Sequence, residues 1–144
     1  MFGVWDRIFV HIIWSTWDRL PLVENEEVKR AVYACIAAKC SQLRCRALAV
    51  GGVQDHVHLL SKLHRTVALA ELVGEVKGSS SHMANHKYRL ETPLRWQRGY
   101  AALSVSPHLV EKVRVYIQNQ SKHHANGTEL PALEQLSPES DQHE

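Results

Sequence analysis

The chain has 144 residues, 44% hydrophobic residues and a formal net charge of +2, a composition typical of one globular domain and not of a disordered segment. No stretch reaches the roughly 20 apolar residues that a transmembrane helix needs, and the first residues lack a signal-peptide pattern, so we expect a cytoplasmic protein with no membrane partner. Three cysteines at five-residue spacing do not indicate a disulfide-rich fold.

The charge is unevenly distributed along the sequence. Residues 125–144 contain five of the 15 acidic residues and none of the 17 Lys and Arg residues, so the first 124 residues carry a formal net charge of +7. A basic body is compatible with a polyanionic partner, although a polar tail on an ordinary soluble protein explains the charge equally well. We predict a folded domain over residues 1–125 and an acidic, flexible tail over residues 126–144.

The first half of the chain predicts a strand, a helix and a hairpin. Residues 7–15 are β-branched and aromatic on both faces, as in a buried strand. Asn25 can cap a helix whose apolar stripe continues to Leu43. Two further strands are predicted over residues 47–53 and 56–62, and the short turn between them favours an antiparallel hairpin.

The second half of the body predicts a helix, a strand and a last helix. Thr66 can cap the second helix, and residues 99–105 form the fourth predicted strand. Ser106 and Pro107 have the order of a capping hydroxyl followed by a proline at the first helical position, so a third helix should run to about Ala125. The order β-α-β-β-α-β predicts an α+β, ferredoxin-like fold: an antiparallel sheet with two helices on one face, followed by a C-terminal helix.

Two histidines of the third predicted strand form the first candidate site. His56 and His58 are two residues apart and should point to the same face of the sheet. Neighbouring neutral imidazoles can hold one divalent metal ion. The alternative is a pair of hydrogen-bonded surface histidines with no ligand.

A tyrosine and a glutamine of the last predicted helix form the second candidate. Tyr116 and Gln120 are four residues apart and should share a helix face. Gln120 offers an oxygen that can complete a metal site, and Tyr116 offers a phenol that can act as a nucleophile. The alternative is a boundary tyrosine with its ring in the core and its hydroxyl in water.

A basic stretch between the second helix and the fourth strand is the third candidate. Lys77, Arg95 and Arg98 belong to it, and aromatic residues are interleaved with them. Positive charge for phosphates and rings for stacking are typical of single-strand nucleic-acid binding, whereas a solvated loop has a similar composition.

Taken together, these residues predict phosphoryl transfer. A metal held by His56, His58 and Gln120 would polarise a phosphodiester, and Tyr116 would attack phosphorus. The chain has no Walker-type glycine-rich loop, which agrees with a transesterification that needs no nucleotide cofactor.

The sequence also resembles a known family, the HUH single-tyrosine transposases of the insertion-sequence-200-like type, which include the repeat-associated tyrosine transposases. The resemblance covers about residues 7–125 and is carried, in order, by five stretches: HIIWSTWDRLPLV, VGGVQDHVHLL, ELVGEVKGSSS, WQRGYAALSVSP and VRVYIQNQSKHH.

The resemblance implies a role for each matching residue. His56 and His58 match the metal ligands, and Gln120 matches the third ligand. Tyr116 matches the nucleophile that cuts one DNA strand, keeps the 5′ phosphate and frees a 3′ hydroxyl. Asp55 precedes the histidine pair and is suited to orient an imidazole from outside the ligand set.

The resemblance also implies a cofactor and partners. Lys77, in the Lys-Gly-Ser-Ser stretch, becomes a candidate for contact with the DNA backbone. Family members use Mg²⁺ or Mn²⁺ and act on single-stranded DNA, often hairpins at element ends. Many are homodimers in which the tyrosine helix serves the partner's histidines, while repeat-associated members can be monomers. Imidazole ligands alone would favour zinc, so the residues leave the metal open.

Other functions remain as alternatives. A histidine-triad nucleotide hydrolase needs a third alternate histidine, where this chain has Leu60. A zinc hydrolase would need a general base that is not evident beside the histidines. A non-catalytic, domesticated single-stranded DNA-binding protein on the same fold is the principal alternative to a DNA transposase.

Overall fold

The computed structural model describes residues 3–120. Its elements, in chain order, are β1 (Phe9–Ser15), a 3₁₀ turn (Trp17–Arg19), α1 (Glu26–Gln42), β2 (Arg46–Val53), β3 (His56–Lys62), α2 (Leu69–Tyr88), β4 (Ala101–Val105), a second 3₁₀ turn (Pro107–Leu109) and α3 (Val110–Gln118).

The four strands form one antiparallel sheet in the order β2-β3-β1-β4. The strand β3 lies between β1 and β2, as the split β-α-β pattern requires. The α+β, ferredoxin-like fold predicted from the sequence is therefore confirmed. No helix within residues 3–120 is long and apolar enough to cross a membrane.

One face of the sheet is covered by α1 and α2. Alternate residues of β1 and β3, such as Ile12 and Leu59, are fully buried against these helices. Each helix contributes an apolar stripe, in α1 Val28, Val32, Ile36 and Cys40, and in α2 Leu72, Val73, Val76 and Ala84. Asn25 caps α1 as predicted, since its side chain accepts a hydrogen bond from the Val28 amide at 3.0 Å.

The helix α3 covers the opposite face. Val113 and Ile117 pack on a small apolar cluster that includes Leu60 of β3 and Ala49 of β2. The sheet is thus enclosed between two layers, and the side chains of β3 are buried on both sides. The second face is where the candidate histidines lie.

The start of α2 differs from the prediction. The helix begins at Leu69 after Ala68, and Thr66 does not cap it. The Thr66 hydroxyl instead accepts a hydrogen bond from Arg44 at 2.9 Å and lies 2.7 Å from His64 Nδ1. These side-chain contacts hold the residues around Thr66 as a turn. The helix α2 therefore begins two residues later than a cap at Thr66 would place it.

The start of α3 also differs. Ser106 makes no side-chain capping bond, and the residues that follow it form the 3₁₀ turn Pro107–Leu109 before α3 begins. Proline still opens the helical segment, as expected for a residue with a fixed φ and no amide hydrogen. The predicted continuation to Ala125 and the predicted tail over 126–144 lie outside the described residues.

Candidate active site

The two predicted histidine ligands lie side by side within the sheet. His56 and His58 occupy alternate positions of β3, face α3 and are at most 1% exposed. Their ring centroids are 5.2 Å apart, with an interplanar angle of 64°. Two buried imidazoles at this separation can converge on one ion, so the predicted pairing is present in the structure.

Asp55 holds the first imidazole. Its Oδ1 lies 2.8 Å from His56 Nδ1, and its Oδ2 accepts a hydrogen bond from Arg19 Nε at 3.3 Å. Partial burial raises the pKa of the Asp55 carboxyl, but the hydrogen bond from His56 and the charge of Arg19 together lower it below its usual value. An ionised Asp55 accepts the Nδ1 proton of His56, which leaves the lone pair on Nε2 for a ligand.

His11 of β1 holds the second imidazole, and the sequence analysis did not identify it. His11 Nε2 lies 2.8 Å from His58 Nδ1, both rings are fully buried, and they stack with centroids 5.0 Å apart. If His58 Nδ1 donates to His11, the lone pair of His58 is on Nε2. The signal in the sequence was one histidine within an otherwise apolar strand, because a buried polar side chain needs a partner.

Tyr116 reaches the same place from α3. Its ring is 4% exposed, and its centroid lies 6.3 Å from that of His58 at an interplanar angle of 74°. The neighbouring residues Val113 and Ile117 are buried against the sheet and fix the rotation of α3. The predicted tyrosine and a predicted metal ligand are therefore brought together within one chain.

Gln120 lies two residues beyond the end of α3 and is 1% exposed. It borders a small cavity of about 160 Å³ whose other lining residues include Gly51 and Gly52 of β2. Gly51 is the cross-strand partner of His58. Gln120 therefore lies near the part of β2 that adjoins the histidine pair.

Gly51 permits this approach of α3. A Cβ atom at Gly51 would lie 2.2 Å from the backbone oxygen of Ile117, a distance at which the helix would have to move. The absence of a side chain at Gly51 therefore lets the backbone of α3 lie directly on β2.

The donor set fits a divalent cation. Two buried imidazoles have their Nδ1 atoms engaged by Asp55 and His11, so that both can present Nε2, and Gln120 can supply a neutral oxygen. Within residues 3–120, no three His, Cys, Asp or Glu side chains are grouped to hold a metal. A metal site here would therefore combine the two imidazoles with a different type of ligand, such as the Gln120 amide.

Two of the three predicted DNA-binding residues are exposed. Arg95 and Arg98 both lie at the surface of the segment before β4. The guanidinium carbon of Arg95 lies 3.7 Å from the ring centroid of Trp17, in cation–π contact. Trp17 follows Thr16, whose amide donates to the Asp55 carbonyl at 2.8 Å, so this stacked pair borders the histidine site.

Lys77 is placed differently from the other two. Its ammonium group is partly buried and donates hydrogen bonds to the backbone oxygens of Gln97 at 2.7 Å and Gly99 at 3.0 Å. These bonds tie α2 to the residues on either side of Arg98. The DNA contact predicted for Lys77 stays a prediction, and the structure adds a role in holding this segment.

The sequence of the chain is similar to those of two transposases. Two curated proteins, each a transposase for insertion sequence element IS200, come from Salmonella typhimurium and Salmonella typhi. Each is 27% identical to this chain over 125 residues, which covers 83% of this chain and 81% of the relative.

Solved structures show the same fold. The crystal structure of a candidate transposase from Deinococcus radiodurans R1 has a TM-score of 0.66 and 26% identity, covering 83% of this chain and 95% of the other. A REP-associated tyrosine transposase bound to a REP hairpin has a TM-score of 0.60, covering 90% of this chain and 74% of the other. At 11% identity, this second likeness supports the fold alone.

A protein-family comparison covers most of the chain. Residues 5–120 match the family model described as Transposase IS200 like. This match includes every candidate residue of the site, from His11 on β1 to Gln120 after α3. The chain therefore belongs to the family of IS200-like transposases.

Proposed function

We propose that this transposase cuts and rejoins single-stranded DNA by a metal-dependent transesterification in which Tyr116 is the nucleophile. The observation that carries the proposal is the 6.3 Å separation between the ring centroids of Tyr116 and His58. A phosphate at this position would lie between a phenol and two imidazoles, which is the set of groups that such a reaction uses.

The reaction balances without a cofactor that is consumed. The Tyr116 oxygen forms a bond to phosphorus while the bond from phosphorus to the 3′ oxygen breaks. The phenol loses a proton, and the departing 3′ oxygen gains one. The 5′-phosphotyrosine keeps the energy of the broken bond, so attack by another 3′ hydroxyl reverses the step and rejoins DNA.

The buried groups around Tyr116 have distinct roles in this proposal. His56, His58 and Gln120 would hold the cation, with Asp55 and His11 fixing the imidazoles. A bound Mg²⁺ or Mn²⁺ ion would supply positive charge next to the phosphate oxygens. The preference for these ions over zinc rests on the phosphate substrate, because the imidazoles alone would favour zinc.

The DNA strand would be held by the surface that borders Asp55. Arg95 and Arg98 would pair with phosphates, and the stack of Arg95 on Trp17 offers an aromatic face near the site. Lys77 would act through its two backbone bonds, which hold the segment that carries Arg98. A hairpin at an element end is a suitable substrate, since one structural neighbour is bound to a REP hairpin.

All the proposed groups come from one chain. The 6.3 Å between the rings of Tyr116 and His58 lies within a single chain, which supports a monomer in which the proposed nucleophile and a proposed metal ligand are neighbours. A homodimer remains the family-based expectation, but this geometry does not require a tyrosine from a second subunit.

A covalent-trapping assay tests the proposal. Full-length protein would be mixed with Mn²⁺ and labelled single strands tiled across both flanks of its gene, then separated on a denaturing gel. We expect a protein–DNA adduct that Tyr116→Phe abolishes while DNA binding remains. Tyr88→Phe is the matched control, because Tyr88 lies at the end of α2 and should leave the adduct unchanged. An adduct that persists in Tyr116→Phe would refute the nucleophile.

The burial of Tyr116 favours a second candidate, a non-catalytic single-stranded DNA-binding protein on the same fold. A nucleophile that is 4% exposed must gain access to its phosphate, and a protein that only binds DNA has no such need. The same assay separates the two: a folded wild-type protein that binds the strands but forms no adduct would favour the second candidate.

A further inference from the structure

A second group of basic side chains lies at the far end of β3 from the histidines. Arg44, Arg46, Lys62 and Arg65 line a cavity of about 260 Å³, which we name the distal basic pocket. It is separate in sequence from the basic stretch before β4. Because β3 runs from His56 to Lys62, six steps of about 3.3 Å place the pocket roughly 20 Å from the candidate active site.

The pocket brings like charges together. Arg46 and Lys62 are direct cross-strand partners in the register of β2 and β3. Like charges at directly opposed positions destabilise a sheet unless something compensates them. Among residues 3–120, no carboxylate forms an ion pair with Arg44, Arg46 or Lys62. An anionic ligand would offset this repulsion.

The other two cations of the pocket are held in place by neighbours. Arg44 donates to the Thr66 hydroxyl at 2.9 Å, and Arg65 pairs with Asp6 at 3.3 Å. Asp6, the carboxylate among the lining residues, is thus paired with Arg65, and the pocket keeps a net positive charge. A guanidinium that is already oriented loses less conformational freedom when it binds an anion.

We propose that the distal basic pocket binds phosphates of the DNA backbone at a distance from the cleavage site. The inference rests on the proposed function in one respect, that DNA is the partner. Duplex DNA rises 3.4 Å per base pair, so a stem of about six base pairs spans the roughly 20 Å between the two sites. The pocket would thus increase affinity for a substrate long enough to reach both.

The test compares two hairpins that share one single-stranded flank and have stems of four and twelve base pairs, about 14 and 41 Å long. Binding to full-length protein would be measured by fluorescence anisotropy across a salt titration, with a chelator present to prevent cleavage. The variant is Arg46→Ala with Lys62→Ala. The charge-matched control is Arg30→Ala with Lys112→Ala, two exposed positions on α1 and α3.

For the long stem, loss of two phosphate contacts should reduce the slope of log affinity against log salt by about 1.8, because each contact contributes roughly 0.9. The short stem and the control variant should show no such reduction. An equal loss on both stems, or no loss beyond the control, would overturn the proposal when thermal unfolding shows the variant to be folded.

The outcome is distinguishable from failure of the proposed function. Adduct formation by Tyr116 on a stemless strand too short to span the roughly 20 Å to the pocket should be unchanged in the pocket variant. If the wild-type protein bound the hairpins normally but formed no adduct, the proposed cleavage would be refuted and the proposal for the distal basic pocket would be unaffected. A wild-type chain that binds neither hairpin would contradict both inferences.

Discussion

The two faces of the sheet differ in chemistry although the same strands form them. Towards α1 and α2, β3 presents Val57 and Leu59, which belong to the main apolar core. Towards α3, the alternate residues are His56 and His58, buried to the same degree. Period-two alternation thus lets a strand of seven residues serve stability on one side and the candidate chemistry on the other.

The covering helices differ accordingly. Helices α1 and α2 are long and pack on each other as well as on the sheet, whereas α3 has nine residues and rests on β2 and β3. A short helix over polar side chains contributes less burial, so substitutions on the two faces should affect different quantities: the free energy of unfolding on one and metal-dependent activity on the other.

The largest effects should come from substitutions at two adjacent residues of β3, His58 and Leu59, whose side chains point to opposite faces of the sheet. His58→Ala removes a proposed metal ligand, and we expect metal-dependent cleavage to fall by more than about 100-fold. Leu59→Ala opens a cavity in the core and should lower the free energy of unfolding by about 2–5 kcal/mol. Denaturant unfolding and adduct formation would be measured for both variants.

His58→Phe is a second variant that keeps a ring of similar shape but offers the cation no donor atom, in case the alanine variant does not fold. Cleavage in Mn²⁺ at the wild-type rate by a folded His58 variant would contradict the metal site. An unfolding free energy unchanged in Leu59→Ala would contradict the assignment of that face to the core.

The next-largest effect should come from substitution of His11, which tests whether this residue orients His58 for the metal or only fills the core. His11→Phe keeps a ring next to His58 but cannot accept its Nδ1 proton, so we expect the affinity for Mn²⁺ to fall by about 10- to 100-fold. Mn²⁺ affinity would be measured by electron paramagnetic resonance, and the tautomer of His58 in metal-free protein by ¹⁵N nuclear magnetic resonance.

The matched control for this experiment is Ile13→Val, which lies two residues along the same face of β1 and changes packing without a hydrogen bond. His11→Gln restores a hydrogen-bonding side chain and should recover part of the Mn²⁺ affinity. If His11→Phe left both the His58 tautomer and the affinity unchanged, His11 would be a packing residue.

Much of the fold could be predicted from local patterns. The bounds of β3 agree with the predicted range 56–62, because an apolar strand with alternate histidines between a turn and a loop has a clear period of two. The helix after Asn25 was equally clear from its cap and its stripe. The predicted start of α2 was wrong because the Thr66 hydroxyl accepts a hydrogen bond from Arg44, 22 residues away in the chain, and does not cap the helix. After Ser106, a 3₁₀ turn precedes α3.

The site was predictable where its residues are close in sequence. The spacing of His56 and His58 determines their shared face of β3. The spacing of Tyr116 and Gln120 predicted a shared helix face, whereas α3 ends at Gln118 and Gln120 lies beyond it. The contact between His11 and His58 joins residues 47 positions apart and depends on the register of β1 against β3. Strand register between distant segments follows from packing of the whole sheet, so single-sequence patterns do not give it.

The smallest effect tests how closely α3 must approach the sheet. In Gly51→Ala the new methyl group would meet the Ile117 carbonyl, so α3 must move away from β2. We expect a loss of about 1–3 kcal/mol in unfolding free energy. We also expect adduct formation to slow by less than the roughly 100-fold that a 1 Å misplacement can cause. Mn²⁺ affinity at the histidine pair should fall less than in His11→Phe, since β1 and β3 stay in place.

Gly74→Ala is the matched control for this experiment, because Gly74 lies in α2 with open space around it. Alanine is the better helix former, so this variant should be neutral or gain up to about 1 kcal/mol of stability with cleavage unchanged. If Gly51→Ala behaved like Gly74→Ala, the close contact of α3 with β2 would not position Tyr116. A specific loss in Gly51→Ala would instead show that a glycine on β2 sets the distance from the proposed nucleophile to the proposed metal ligands.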